Sequence, residues 1–138
     1  MKYRTSWRAL RGPAYTYAAT VLDVHDGDTI KVRVDLGFVP VLIETSVRLL
    51  GCNAIELDAP GGMESRDHLR ALALGQSVFL RTVKPDKFGG RYDAQVTLPG
   101  DVDLVTTLIA DGWAAPWDGK GPKPVPVWPR VPPASVVR

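Results

Sequence analysis

Four charged residues of this chain, Asp28, Arg48, Glu56 and Arg91, are of types that work together around a phosphate. A carboxylate such as Asp28 suits a hard divalent cation, which prefers oxygen ligands. Two arginines can fork onto a phosphate through bidentate, charge-assisted hydrogen bonds. A glutamate beside a metal-bound water can accept its proton or orient it. Phosphodiester cleavage uses such a set, because charge on the non-bridging oxygens must be stabilised as water attacks. Arginine–carboxylate pairs taken singly are common surface features of small worth. The reading therefore depends on the elements that carry these four residues.

Asp28 belongs to His25-Asp26-Gly27-Asp28-Thr29, a tight-turn signal in which glycine supplies the positive φ such turns demand. Tyr15 to Val24 before it is rich in β-branched and aromatic residues. Thr29 to Leu36 after it alternates, with Ile30, Val32, Val34 and Leu36 facing one way and Thr29, Lys31, Arg33 and Asp35 the other. Asp26 and Gly27 shape the turn, and Asp28 stands at the mouth of the second strand. Arg48 lies near the end of a third extended run, Val41 to Leu50, whose Val41, Ile43, Val47 and Leu49 share one parity with Thr45. Glu56 falls in a loop from Cys52 to Gly62.

A helix follows over Met63 to Leu74, with Leu69, Leu72 and Ala73 at helical spacing and Gly75 as its stop. Gln76 to Val83 and Arg91 to Leu98 read as strands four and five, joined by the polar turn Lys84 to Gly90. Asp101 or Asp103 caps a second helix striped by Leu104, Val105, Leu108 and Ile109, which Gly112 ends.

Composition sets bounds. The chain has 138 residues, 45% hydrophobic and 23% charged, ordinary for one globular domain. No apolar run reaches the roughly 20 residues that span a bilayer, and the basic start, Met1 to Gly12, lacks the apolar region of a secretory signal. One cysteine, Cys52, leaves no partner for a disulfide within the chain and reads as a small buried hydrophobe. His25, His68 and that cysteine make no zinc set. The net charge of +2 hides +4 over residues 1–12, +3 over residues 113–138 and −5 between them. Basic ends on an acidic body can attract a polyanion. Seven of the twelve prolines lie between Pro116 and Pro133, so the tail reads as extended, without a core of its own. Three regions result: a basic arm over 1–13, a folded domain over 14–118 and a proline-rich tail over 119–138.

Three strands, a helix, two strands and a helix predict a mainly β fold with α: a five-stranded OB-type barrel. One helix sits between strands three and four, and the second follows strand five. The ligand surface of that barrel involves the loops between strands one and two and between strands four and five. Those loops hold Asp26-Gly27-Asp28 and Lys84 to Gly90, with Arg91 just after.

In that order, Asp26-Gly27-Asp28-Thr29, Arg48-Leu49-Leu50-Gly51-Cys52-Asn53-Ala54-Ile55-Glu56 and Asp86-Lys87-Phe88-Gly89-Gly90-Arg91 resemble the staphylococcal (thermonuclease-like) nuclease family, over about Val21 to Trp117. The resemblance implies a calcium-dependent nuclease that hydrolyses DNA or RNA at the 5′ P–O bond and leaves 3′-phosphates. Asp28 would be a calcium ligand, with Asn53 where the family has a second aspartate and Ala54 where a backbone carbonyl completes the site. Glu56 would be the general base or position the attacking water, and Arg48 and Arg91 would grip the scissile phosphate. Phe88 matches the family's tyrosine in the turn between strands four and five. Lys87 could touch a neighbouring phosphate, and Trp117 is a candidate to stack a base.

The sequence departs from the family at Asn53, which removes a negative charge. It departs also at Ile55, where a proline is usual, at an extra glycine before Arg91, and in the proline-rich tail that replaces a helix. The expected partner is a nucleic-acid substrate, with no membrane contact and a monomeric chain. The alternative is a nucleic-acid-binding module that kept the barrel and lost efficient cleavage. A third reading makes the tail a ligand for aromatic grooves.

Overall fold

A computed structural model describes residues 15–86 and 89–129. The N-terminal arm, Lys87 and Phe88, and residues 130–138 of the tail lie outside them. Five long strands make the barrel: β1 (Tyr15–Asp26), β2 (Thr29–Asp35), β3 (Leu42–Leu49), β5 (Ser77–Pro85) and β6 (Arg91–Leu98). Between them lie β4 (Cys52–Ala54) and helix α1 (Gly62–Ala73). After them come β7 (Val102–Asp103), helix α2 (Leu104–Ala110) and β8 (Ala114–Pro116).

The sheet runs β3-β2-β1-β5-β6 through antiparallel neighbours and closes by a parallel pairing of β3 with β6. This is the expected OB-type closed barrel with its two helices. Ile30, Val32, Val34, Val21 and Val24 point inward with Leu80 and Val96, and Leu69, Leu104 and Leu108 plug the ends from the helices. Asp103 caps α2 by accepting the Thr106 N–H at 2.9 Å. Among the described residues no helix is long and apolar enough to cross a membrane.

Three expectations are corrected. At the start of the third extended run, Val41 just before β3 and Ile43 within it are exposed, although they share parity with the buried Val47 and Leu49. The parallel closure begins only at Ser46, opposite Arg91. Among the described strands, the first half of β3 therefore pairs with β2 alone. Next, Cys52–Ala54 is not simply loop: it pairs antiparallel with Ala114–Pro116, which brings the exit of α2 beside β4. Finally, Gly27 does not take the positive φ that the turn signal suggests.

Gly27 is required for space instead. Asp26 pairs with Thr29, so Gly27 and Asp28 are the whole turn, and the Asp26 carboxylate accepts the Asp28 N–H at 3.1 Å. A Cβ on Gly27 would lie 2.1 Å from Ser65 Oγ and 2.7 Å from Ala54 Cβ. The hydroxyl can rotate away; the Ala54 methyl on β4 cannot. The turn is thus wedged against β4 and α1. Gly27→Ala is expected to lower the unfolding free energy by about 1–3 kcal/mol, read by urea denaturation. A loss under about 0.5 kcal/mol, the range of bland surface changes, would refute the wedge.

Candidate active site

The wedge aims Asp28 into the barrel end, where its carboxylate is buried. Oδ2 accepts the Ala54 N–H at 2.9 Å and lies 3.3 Å from Arg48 Nη2, and Oδ1 accepts the Thr29 hydroxyl at 3.3 Å. Burial pushes the Asp28 pKa up to about 6; Arg48 and the Ala54 N–H pull it down, and the neighbouring Asp26 adds to the rise. The rise is mainly the cost of burying the charge, which Arg48 offsets only in part.

Arg48 reaches it because β2 and β3 place Arg48 directly opposite Thr29. Its side chain then turns toward the loop behind it. Nη1 donates to the carbonyls of Leu49 at 2.9 Å and Cys52 at 3.1 Å, and Nη2 donates to Asn53 Oδ1 at 3.4 Å. The guanidinium closes the Leu50-Gly51 bend and presents one edge to the site. Gly51 there has φ +97, a left-handed conformation that glycine adopts without strain. Cys52 beside it is a buried thiol whose pKa burial raises to about 12, with the Asp28 charge adding to the effect. It is inert packing, as the sequence suggested.

Arg91 arrives from the other side. The parallel register sets it beside Ser46 of β3, and its Nη1 donates to Thr29 Oγ1 at 3.5 Å. Its Nε donates to Asp86 Oδ2 at 3.0 Å, while the Asp86 N–H donates to the Arg91 carbonyl at 3.0 Å. The extra glycine therefore does not leave this arginine loose, because Asp86 holds it at both main chain and side chain. Further along β6, Asp93 is buried, and its Oδ1 has no hydrogen-bond partner among the described residues. Burial raises its pKa, and the Asp86 carboxyl beside it raises it further.

Glu56 stands at the margin of this cluster. It follows β4 on an exposed loop, with Lys123 Nζ 4.0 Å from Oε1. A buried Ile55 fixes the loop where the sequence lacks a proline. The loop is also pinned by α1: a Cβ on Gly62 would lie 2.0 Å from the Glu56 carbonyl. Trp117 is half-buried and lines a cavity of about 180 Å³ with Arg48, Lys84 and Asp93. The Lys123 ammonium lies 5.7 Å from the centre of its ring. Trp113 packs against the core, with His68 stacked on it at 4.8 Å, so His68 is not the plain surface residue its helix suggested.

Asp28, Arg48, Asn53, Ala54 and Arg91 thus meet at one barrel end, linked through Thr29. Sequence reasoning missed Asp86, Lys123 and the hydroxyl of Thr29 as partners. The Asp-Gly-Asp-Thr run contained the last, whereas Lys123 had no local signal. Asp28, Asn53 and the Ala54 carbonyl offer only hard oxygen donors. Among the described residues no group of three or more His, Cys, Asp or Glu could hold a metal, so Asp28 would carry the negative charge of this set alone. A hard divalent cation fits that oxygen-donor chemistry. A scan against protein-family models matches none of them, and no curated protein matches the chain.

Proposed function

We propose that the chain is a calcium-dependent phosphodiesterase acting on DNA or RNA, cleaving the 5′ P–O bond to leave 3′-phosphates. The observation that supports it most is that both guanidinium groups reach the same corner. Arg48 Nη2 lies 3.3 Å from Asp28 Oδ2, and Arg91 Nη1 lies 3.5 Å from the adjoining Thr29 Oγ1. A phosphate at that corner would receive charge-assisted hydrogen bonds from two directions.

On this reading Asp28, Asn53 and the Ala54 carbonyl would hold the cation, which when bound supplies further positive charge to the phosphate oxygens. Arg48 and Arg91 orient the phosphate. Glu56 orients the attacking water and takes up its proton, and its exposure leaves it accessible to solvent. Trp117 offers a ring to a neighbouring base and Lys84 a cation to the strand.

The test is digestion of DNA and RNA by the purified chain. With millimolar calcium both substrates, or one, should be shortened to products with 3′-phosphate ends, and EDTA should abolish this. No cleavage in calcium would sink the enzyme reading. Two observations favour the second reading, a binding module: Asn53 leaves the site a single carboxylate, and Lys123 already faces Glu56 at 4.0 Å. That reading expects salt-sensitive binding of nucleic acid without turnover.

A further inference from the structure

The catalytic reading assigns nothing to the proline-rich segment, yet that segment touches the site. Asn53 Nδ2 donates to the Pro124 carbonyl at 2.9 Å, 71 residues away in sequence. The neighbouring Lys123 is the residue facing Glu56. On one side the segment is tied down by Trp117, whose N–H donates to the Gly51 carbonyl at 3.0 Å and whose Nε1 donates to the Lys120 carbonyl at 2.9 Å. On the other side Trp128 lies so close to Gly61 that a Cβ there would come within 2.5 Å of its ring, and it tilts against Trp113 at 6.1 Å.

A buried amide has two ends of nearly equal size and opposite chemistry, an acceptor oxygen and a donor nitrogen. Asn53 is 2% exposed, so both ends must find protein partners. A carbonyl can only accept. The Pro124 carbonyl accepts from the Asn53 nitrogen. The oxygen is then left to Arg48 Nη2, 3.4 Å away, on the side of Asp28.

We propose that the Pro124 main-chain carbonyl is a positioning group for Asn53, turning the amide so that its oxygen faces Arg48 and Asp28. As a statement about the metal site, this rests on the reading of Asn53 as a ligand. It also accounts for asparagine at this position: an aspartate would set two acceptors face to face, and the segment would lose its hold.

The full-length chain labelled with 15N gives the first measurement. The Asn53 side-chain amide protons should exchange with solvent at least tenfold more slowly than those of an exposed asparagine. Exchange at the exposed rate overturns the proposal. Asn53→Asp removes the donor at nearly constant shape, and trypsin should then cut after Lys120 at least tenfold faster than in the parent chain. An unchanged rate also overturns it. Should that variant fail to fold, the amide measurement on the parent chain still decides. Titration with calcium alone separates the two readings. A protected Asn53 amide that does not shift with calcium supports the positioning contact and removes the metal site.

Discussion

Replacing Arg48 with methionine is expected to lower the unfolding free energy by about 3–5 kcal/mol, measured by urea denaturation. Methionine keeps much of the volume and removes every donor. The carbonyls of Leu49 and Cys52 lose their Nη1 partner, and Asp28 loses the charge 3.3 Å from its carboxylate. Leaving one member of a buried ion pair behind is the costly step, since its desolvation is no longer offset. The pH dependence carries a signature. In the unfolded chain Asp28 titrates near its ordinary 3.8, and in the fold near about 6. Between those values the folded chain holds a proton that the unfolded chain has released. This residue's contribution to stability therefore falls as pH rises through that window. Arg48 opposes the rise in pKa, so without it the window extends to higher pH. The gap between the parent chain and Arg48→Met should widen as pH rises above about 6, where Asp28 of the parent chain ionises and that of the variant still holds its proton. A gap that stays flat would show that the guanidinium charge does not act on Asp28.

Glu56→Gln is expected to do the reverse: to lower turnover about 10²–10⁴-fold while leaving stability within about 0.5 kcal/mol. Glutamine keeps the shape and the ability to orient water but cannot take up a proton. Little structure depends on the carboxylate, because it is exposed and its pairing with Lys123 at 4.0 Å is a surface contact worth at most about 1 kcal/mol. Initial rates of calcium-supported DNA digestion are the measurement. Retention of more than about a tenth of the parent rate, far above the loss a general base should show, would remove Glu56 from the proton-transfer role. Together the two variants separate a residue that builds the site from one that works in it.

Most of the barrel was legible because its signals are local. The alternation of Thr29 to Leu36, the helical spacing of Leu69, Leu72 and Ala73, and the Asp103 cap each concern residues a few positions apart. What the sequence concealed depends on partners far along the chain. The parity of Val41 and Ile43 reads as core, but whether a strand face is covered depends on where β6 stops pairing. Gly27 looked like a demand for unusual backbone torsion; the demand for room comes from Ala54 and Ser65, which no local pattern reveals. Asp28, Arg48, Asn53 and Arg91 were chosen by residue type and by resemblance. Their convergence comes from the register of β2 with β3 and of β3 with β6. Asp86 was quoted in a motif without a role, because its partnership with Arg91 needs the hairpin closed. The contact of Pro124 with Asn53 had no signal at all.

The parallel seam between β3 and β6 also dictates an order of events in folding. The turn at Asp28 joins neighbours, Asp26 to Thr29, whereas the seam joins Ser46 to Arg91 and the last bond joins Asn53 to Pro124. Closing a longer loop costs more chain entropy, and non-local pairing slows folding. The hairpin that carries Asp28 therefore forms early, with its carboxylate still solvated and of ordinary acidity. Arg48 comes to it with the β2–β3 pairing, and Arg91 only when the seam closes. The last step in the enclosure of Asp28 thus waits on the seam. To the extent that the seam closes after the folding barrier, that desolvation is expected to speed unfolding more than it slows folding, and it then shows itself in how long the folded barrel lasts.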